Sequence, residues 1–219
     1  MYKLKIADLY INVLSDNTFN NFFNEYTIDN EDKVDITIEN PKDIIDFHDK
    51  LASKLSTHNG FVIHGACIEY KNNAYLFIAP THTGKTTHIK LWLKHLKECK
   101  VINGDKPIVR LINDECRIYG TPWNGKERYG SNISSKLKSI IILNRSDVDS
   151  ITKVNKKDYI NEIINQIYLP DNKNNLIETL QLIDSTFNSV DVYKLNCTMN
   201  DNAFLCAYKE LVGEDYEIK

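Results

Sequence analysis

LFIAPTHTGKTTHIKLW, residues 76–92, is the stretch on which the reading of this chain turns. It opens with a dense apolar run of the kind a buried central strand carries. From Lys85 onward, Ile89 and Trp92, with Leu93 and Leu96 just beyond the stretch, fall at i, i+3, i+4 and i+7, which predicts an amphipathic helix with Trp92 in the core. Between them, Thr83-Gly84-Lys85-Thr86 reads as the end of a phosphate-binding loop. Such a loop needs small residues so that main-chain N–H groups can approach a phosphate, and a helix N-terminus behind them. Lysine adds a mobile cation and the following hydroxyl a magnesium ligand, roles that fall here to Gly84, Lys85 and Thr86. A Gly-Lys-Ser/Thr triplet arises by accident in a chain of this length about one time in ten, and its place between strand and helix removes most accidents. The opening position, usually glycine, is Ala79, small enough to serve where its φ is negative. Thr81, His82, Thr83 and Thr87 complete the expected phosphate-binding set. His82 and His88 read either as ligand contacts or as a solvated loop and helix face.

Working outward, FVIHGACIEY (61–70) and AYLFIAP (74–80) read as two adjacent strands joined by the polar turn 71–73. Residues 3–14 and 34–39 alternate as strands, with a polar stretch between them. Ile44, Phe47, His48, Leu51 and Leu55 then mark a first helix. KVINGDKPIVRLINDECRIYG (100–120) offers short strands with a turn at Asn113-Asp114, and SIIILNR (139–145) another buried strand. GTPWNGKERYG (120–130) is a loop by its Gly, Pro and Asn content. Its Lys126 and Arg128 suit a cover over phosphates, or else belong to a charged surface turn. The last third reads as mainly helical. Ile160, Ile163, Ile164 and Ile167 share one face and Leu176, Leu180, Ile183 and Phe187 another, with Pro170 between. A strand at 191–195 and a helix stopped at Gly213 follow. The expected fold class is α/β with a mixed central sheet. The expected organisation is one domain over 1–219, with an N-terminal β layer and helix (1–58), a nucleotide-binding core (59–145) and a helical C-terminal part (146–219).

A formal net charge of −3, with 42% hydrophobic and 26% charged residues, gives no global attraction to nucleic acid or to an anionic membrane. Neither is expected as a partner. The five cysteines form no CxxC pair and read as buried free thiols in a reducing compartment rather than zinc ligands. MYKLKIADLYINVL alternates unlike a signal peptide, and no apolar run nears the roughly 20 residues that span a bilayer, so the expected location is cytoplasmic.

Three stretches together, IHGACIEYKNNAYLFIAPTHTGKTTH (63–88), VINGDKPIVRL (101–111) and YGTPWNGKERYGSN (119–132), resemble the HPr serine kinase/phosphorylase superfamily. The nucleotide core of that superfamily is shared with ATP-dependent phosphoenolpyruvate carboxykinase. More closely, the chain resembles the stand-alone, single-domain HPr-kinase-like proteins. The resemblance implies a P-loop-containing mixed sheet with flanking helices. It also implies a kinase that uses ATP and Mg²⁺ to phosphorylate a serine or threonine hydroxyl of a peptide or protein; homo-oligomerisation is left open. By the same resemblance His64 lies near the transferred phosphate, and Lys85 and Thr86 take phosphate and magnesium. Asp105 is the second member of an acidic pair that divides metal binding and proton abstraction. The first member is Gly104 here, and it favours an alternative, a nucleotide-binding module without transferase activity that acts as scaffold or sensor; Gly104→Asp is expected to bring slow ATP turnover to such a module and to add little to a kinase that relies on His64. Shared metal binding requires Asp105 within about one water of Thr86.

Overall fold

The computed structural model describes residues 2–15, 19, 22–29 and 33–216. The polar stretch that the sequence places between its first strands lies partly outside them. Along β6 (Asn73–Ile78) successive side chains point to opposite faces. Tyr75, Phe77 and then Ala79 enter one buried cluster, while Ala74, Leu76 and Ile78 enter another. A strand apolar on both faces belongs in the middle of a sheet. β6 accordingly pairs antiparallel with β5 (Ala66–Tyr70) and parallel with β10 (Ser134–Arg145).

Among the described residues the main sheet has nine strands. Its path runs β4 (Gly60–Val62), β8 (Ile108–Ile112), β9 (Glu115–Tyr119), β10, β6, β5, β7 (Lys100–Asn103). The twelve-residue β10 also pairs parallel with β12 (Asp191–Cys197), beyond the point where β9 ends; β12 in turn carries β11 (Ser150–Lys153). This sheet cannot be flat. β4 and β5 stand five strand spacings apart on the path, about 24 Å at the usual interstrand distance. Only Ile63, His64 and Gly65 join them, a reach of about 14 Å. The sheet therefore curls, and the expectation of one continuous strand over 61–70 is corrected: His64 sits in the break between two strands, not on one.

Helices cover both faces. α2 (Lys85–His95) and α5 (Asp201–Val212) pack Ile89, Trp92, Phe204 and Tyr208 against Tyr75, Phe77 and Ile141. α3 (Ile160–Ile164) and α4 (Lys173–Ser189) pack Ile163, Ile183 and Phe187 against Leu76, Ile78 and Ile140. A three-stranded sheet, β1 (Tyr2–Ile6), β2 (Leu9–Leu14) and β3 (Ile36–Glu39), forms a third cluster with α1 (Ile44–Lys54). Three hairpins turn on residue pairs with positive φ, Ala7-Asp8, Lys71-Asn72 and Asn113-Asp114, the conformation that matches right-handed strand twist.

The C-terminal third differs in detail from its sequence reading. Ile167 leaves the short α3 and forms a bridge with Ile63 instead. On α4 the buried stripe is Thr179, Ile183, Thr186 and Phe187, and Leu180 is exposed. Thr179 can be buried because its hydroxyl donates to the Asn175 carbonyl one turn back.

His88 is neither a ligand contact nor a solvated residue. Its ring is fully buried against Phe77, and its Nε2 accepts from Trp92 Nε1 at 3.1 Å. Burial holds its pKa down at about 4. The unfolded chain, with an imidazole near 6.5, binds the proton more readily. Stability is therefore expected to fall as pH drops from about 6.5 toward 4. Urea unfolding of wild type and His88→Gln across that range checks this, since the variant should lose that part of the slope.

Candidate functional site

The main chain leaves β6 at Ile78, makes a tight turn over Ala79–Gly84 and enters α2 at Lys85. Gly84 has φ +118°, a conformation in which a side chain is strained. His82 takes φ +66°, unusual for a residue with a side chain. Thr83 Oγ1 donates to the Pro80 carbonyl at 2.8 Å, closing the turn on itself. From outside, Arg145 Nε donates to the Thr83 carbonyl at 3.1 Å, and the thioether of Met199 packs on Gly84. Thr81, His82 and Thr87 are exposed, and Thr86 is half-buried in the first turn of α2.

The same turn receives the Lys85 side chain. Its Nζ donates to the Ala79 carbonyl at 2.7 Å and reaches that of Pro80 at 3.4 Å, with only 9% of the residue exposed. Burial lowers its pKa, and the Asp105 carboxylate opposes that shift. α1, α4 and α5 each have a side-chain N-cap, from Asp43, Asn172 and Asn200, whereas α2 has none. The N–H groups of its first turn are therefore not satisfied by a capping side chain.

His64 and Asp105 lie within range of the Lys85 charge. His64 Nε2 lies 3.4 Å from Asp105 Oδ1, with both side chains about one-third exposed. Gly65 N–H donates to the Asp105 carbonyl at 2.8 Å, tying the two segments together. Asp105 follows β7 on a turn built by the fully buried Asn103. The Oδ1 of Asn103 accepts from the N–H groups of Asp105 and Lys106, both at 2.8 Å, and its Nδ2 donates to Thr121. His64 has its pKa lowered, by burial first and then by Lys85, with Gln166 and Asp105 opposing. The imidazole is thus neutral at neutral pH and able to accept a proton.

The 120–130 loop lies against this pair. It is anchored by Trp123, which stacks on Phe47 and donates to the Ile44 carbonyl. Gly125 approaches the Asp105 side chain. Glu127 pairs with Lys90 of α2 at 3.8 Å, and Lys90 also lies over the Tyr129 ring. The loop thus runs from Asp105 to α2, with Lys126 and Arg128 exposed on it. A Cβ on Gly104 would stand 2.8 Å from the Asn124 carbonyl oxygen and 3.0 Å from that of Tyr129. Gly104 is therefore required by close main-chain approach. The expected slow ATP turnover of a silent module carrying Gly104→Asp therefore meets a steric obstacle.

The residues present fit a Mg²⁺-bound nucleoside triphosphate. A buried lysine and an uncapped helix N-terminus meet at one turn, as phosphate binding needs. Thr86 and Asp105 offer oxygen donors. Among the described residues no three His, Cys, Asp or Glu gather as a metal-binding group. Mg²⁺ needs no such group, because phosphate oxygens and water supply most of its coordination.

Four residues of this site escaped sequence reasoning. Asn103 carried a legible signal, since Asn two residues before a functional residue builds an Asx turn. Gln166, Arg145 and Met199 come from distant segments and carried none.

No protein-family profile matches the chain, and no curated protein matches it. Among solved structures it is similar to the Hpr(Ser) kinase/phosphatase from Coxiella burnetii, at 10% identity over 69% of this chain and 93% of that one, with a TM-score of 0.35. A likeness of that degree carries no weight for function. The chain itself has a mixed α/β fold whose curled sheet is flanked by helices. Among the described residues no helix is long and apolar enough to cross a membrane.

Proposed function

We propose that this chain is a kinase that uses ATP and Mg²⁺ to phosphorylate a serine- or threonine-type hydroxyl of a peptide or protein. One observation carries the reading: a histidine and a carboxylate face each other 3.4 Å apart, beside a buried lysine at a strand-to-helix turn whose charge acts on the histidine and which feels the charge of the carboxylate. The resemblance of residues 63–88, 101–111 and 119–132 to HPr-kinase-like proteins supports it. We also propose that residues 1–219 work as one unit in the cytoplasm.

ATP with Mg²⁺, when bound, supplies the transferable γ-phosphoryl group. Phosphoryl transfer asks the protein for positioning and charge neutralisation more than for covalent help. Lys85 and the N–H groups of Gly84–Thr87 hold phosphate oxygens. Thr86 and Asp105 offer the metal its protein oxygens, and Lys126 and Arg128 bring positive charge from the loop. His64 takes the proton of the acceptor hydroxyl at Nε2.

The reading is tested by thermal unfolding. A ligand that binds only the native state at a hundredfold excess over Kd stabilises it by about 2.7 kcal/mol. ATP with Mg²⁺ should raise the Tm of wild type, and Lys85→Met should lose most of that rise while its ligand-free Tm changes little. Equal shifts in both proteins would place nucleotide elsewhere. Incubation with γ-labelled ATP and candidate peptides then tests transfer itself. A second reading, nucleotide binding without transfer, is favoured by the single carboxylate at 104–105. It takes over if nucleotide binds at Lys85 and no acceptor is ever labelled.

A further inference from the structure

Residues 166–168 run beside the His64 break as a short strand-like companion. His64 N–H donates to the Gln166 carbonyl at 2.6 Å, Ile63 and Ile167 form a bridge, and Tyr168 N–H donates to the Val62 carbonyl at 3.0 Å. On this mount the Gln166 side chain turns to the imidazole, with Oε1 2.9 Å from Nδ1. Gln166 also borders an indentation of about 130 Å³ lined by Ala79 and Pro80, so the residue that touches His64 lies beside the 79–84 turn as well. It is half-buried, and its main-chain bonds, to Ile163 and from His64, do not involve the side chain.

We infer that Gln166 is a positioning residue that fixes the ring orientation and tautomer of His64. An amide oxygen at Nδ1 requires the proton there. The lone pair of Nε2 then faces Asp105 Oδ1, and two acceptors 3.4 Å apart converge on the place where a donor hydroxyl would sit. Without Gln166 the ring could turn over or carry its proton on Nε2, where Asp105 would hold it and no acceptor would remain for the substrate. The role rests on the reading of His64 as the group that receives the hydroxyl proton. In that step the O–H bond breaks, the proton forms a bond to Nε2, and the electron pair stays on the hydroxyl oxygen as nucleophile. Only afterwards does the ring hydrogen-bond through both nitrogens, to Gln166 and to Asp105.

Nitrogen-15 NMR of the imidazoles, at a pH about two units above the ordinary histidine pKa, reads the tautomer without any turnover. The His64 signal is assigned by its loss in His64→Ala. Wild type is expected to show His64 protonated at Nδ1, Gln166→Leu a mixture of the two neutral forms, and Gln166→Glu, which keeps an acceptor oxygen, the wild-type form. In transfer assays Gln166→Leu should lower kcat about 10- to 100-fold with an unchanged KM for ATP, and Gln166→Glu should recover most of it. A wild-type His64 protonated at Nε2, or the same tautomer in Gln166→Leu as in wild type, overturns the inference. Should the protein transfer no phosphate at all, the kinase reading is lost while the tautomer measurement still decides the role of Gln166.

Discussion

Replacing His64 by alanine is expected to lower phosphoryl transfer by about 10²- to 10⁴-fold, the usual worth of a positioned general base, while ATP affinity stays near that of wild type. The split follows from where the residue sits. The polar partners of the His64 side chain are Gln166 and Asp105, and no hydrogen bond or ion pair among the described residues joins it to the 79–84 turn that would hold phosphates. Asp105→Asn should behave differently. It keeps the shape and removes the charge that offsets the burial of Lys85, so ATP affinity and its Mg²⁺ dependence should fall together with kcat. Steady-state kinetics at several Mg²⁺ concentrations separate the two. If His64→Ala changes KM for ATP and leaves kcat intact, His64 is a binding residue and the proton must go elsewhere.

The parts of this molecule that were legible in the sequence are those set by local pattern. β6, α2 and the turn between them follow from an apolar run, a Gly-Lys-Thr triplet and a helical spacing, all within residues 76–96. The Asn113-Asp114 turn was legible from residue types that tolerate positive φ. What resisted is what the curl of the sheet decides. His64 reads as a strand residue because its neighbours are apolar, and only the three-residue link between the two ends of the sheet path puts it in a break. His88 and His82 are both polar residues near one loop. The first is buried under Phe77 and Trp92 while the second is exposed, and helix phase alone separates them. Gln166 lies 102 positions from the histidine it touches, a distance over which no periodicity speaks. On α4, helical spacing puts Leu180 on the face of Leu176, Ile183 and Phe187, but the buried stripe runs through Thr179, which hides its hydroxyl in a bond to its own helix.

Gly104→Asp is expected to destabilise the protein by about 4 kcal/mol or more and to give no new activity. The added Cβ alone would stand within 3.0 Å of two main-chain oxygens, of Asn124 and Tyr129, neither of which can rotate away. Gly104→Ala isolates that contact and should cost about 1–3 kcal/mol. The aspartate adds a negative charge against two carbonyl oxygens, so its cost should exceed that of alanine clearly. Relief would require the 120–130 loop to lift, which would give up the Lys90–Glu127 pair and the contact of Gly125 with Asp105. Urea unfolding of the two variants gives the energies, and faster proteolysis within 124–129 would report the lifting. The result bears on the choice between a kinase and a silent module. A site that had merely lost a carboxylate would keep room for it, and Gly104→Asp would fold well and hydrolyse ATP. Here main chain occupies that room, so the arrangement of one carboxylate with His64 is built into the packing of the loop. An aspartate at 104 that leaves stability at the wild-type level and brings ATP turnover to an inactive protein would refute that conclusion and the kinase reading with it.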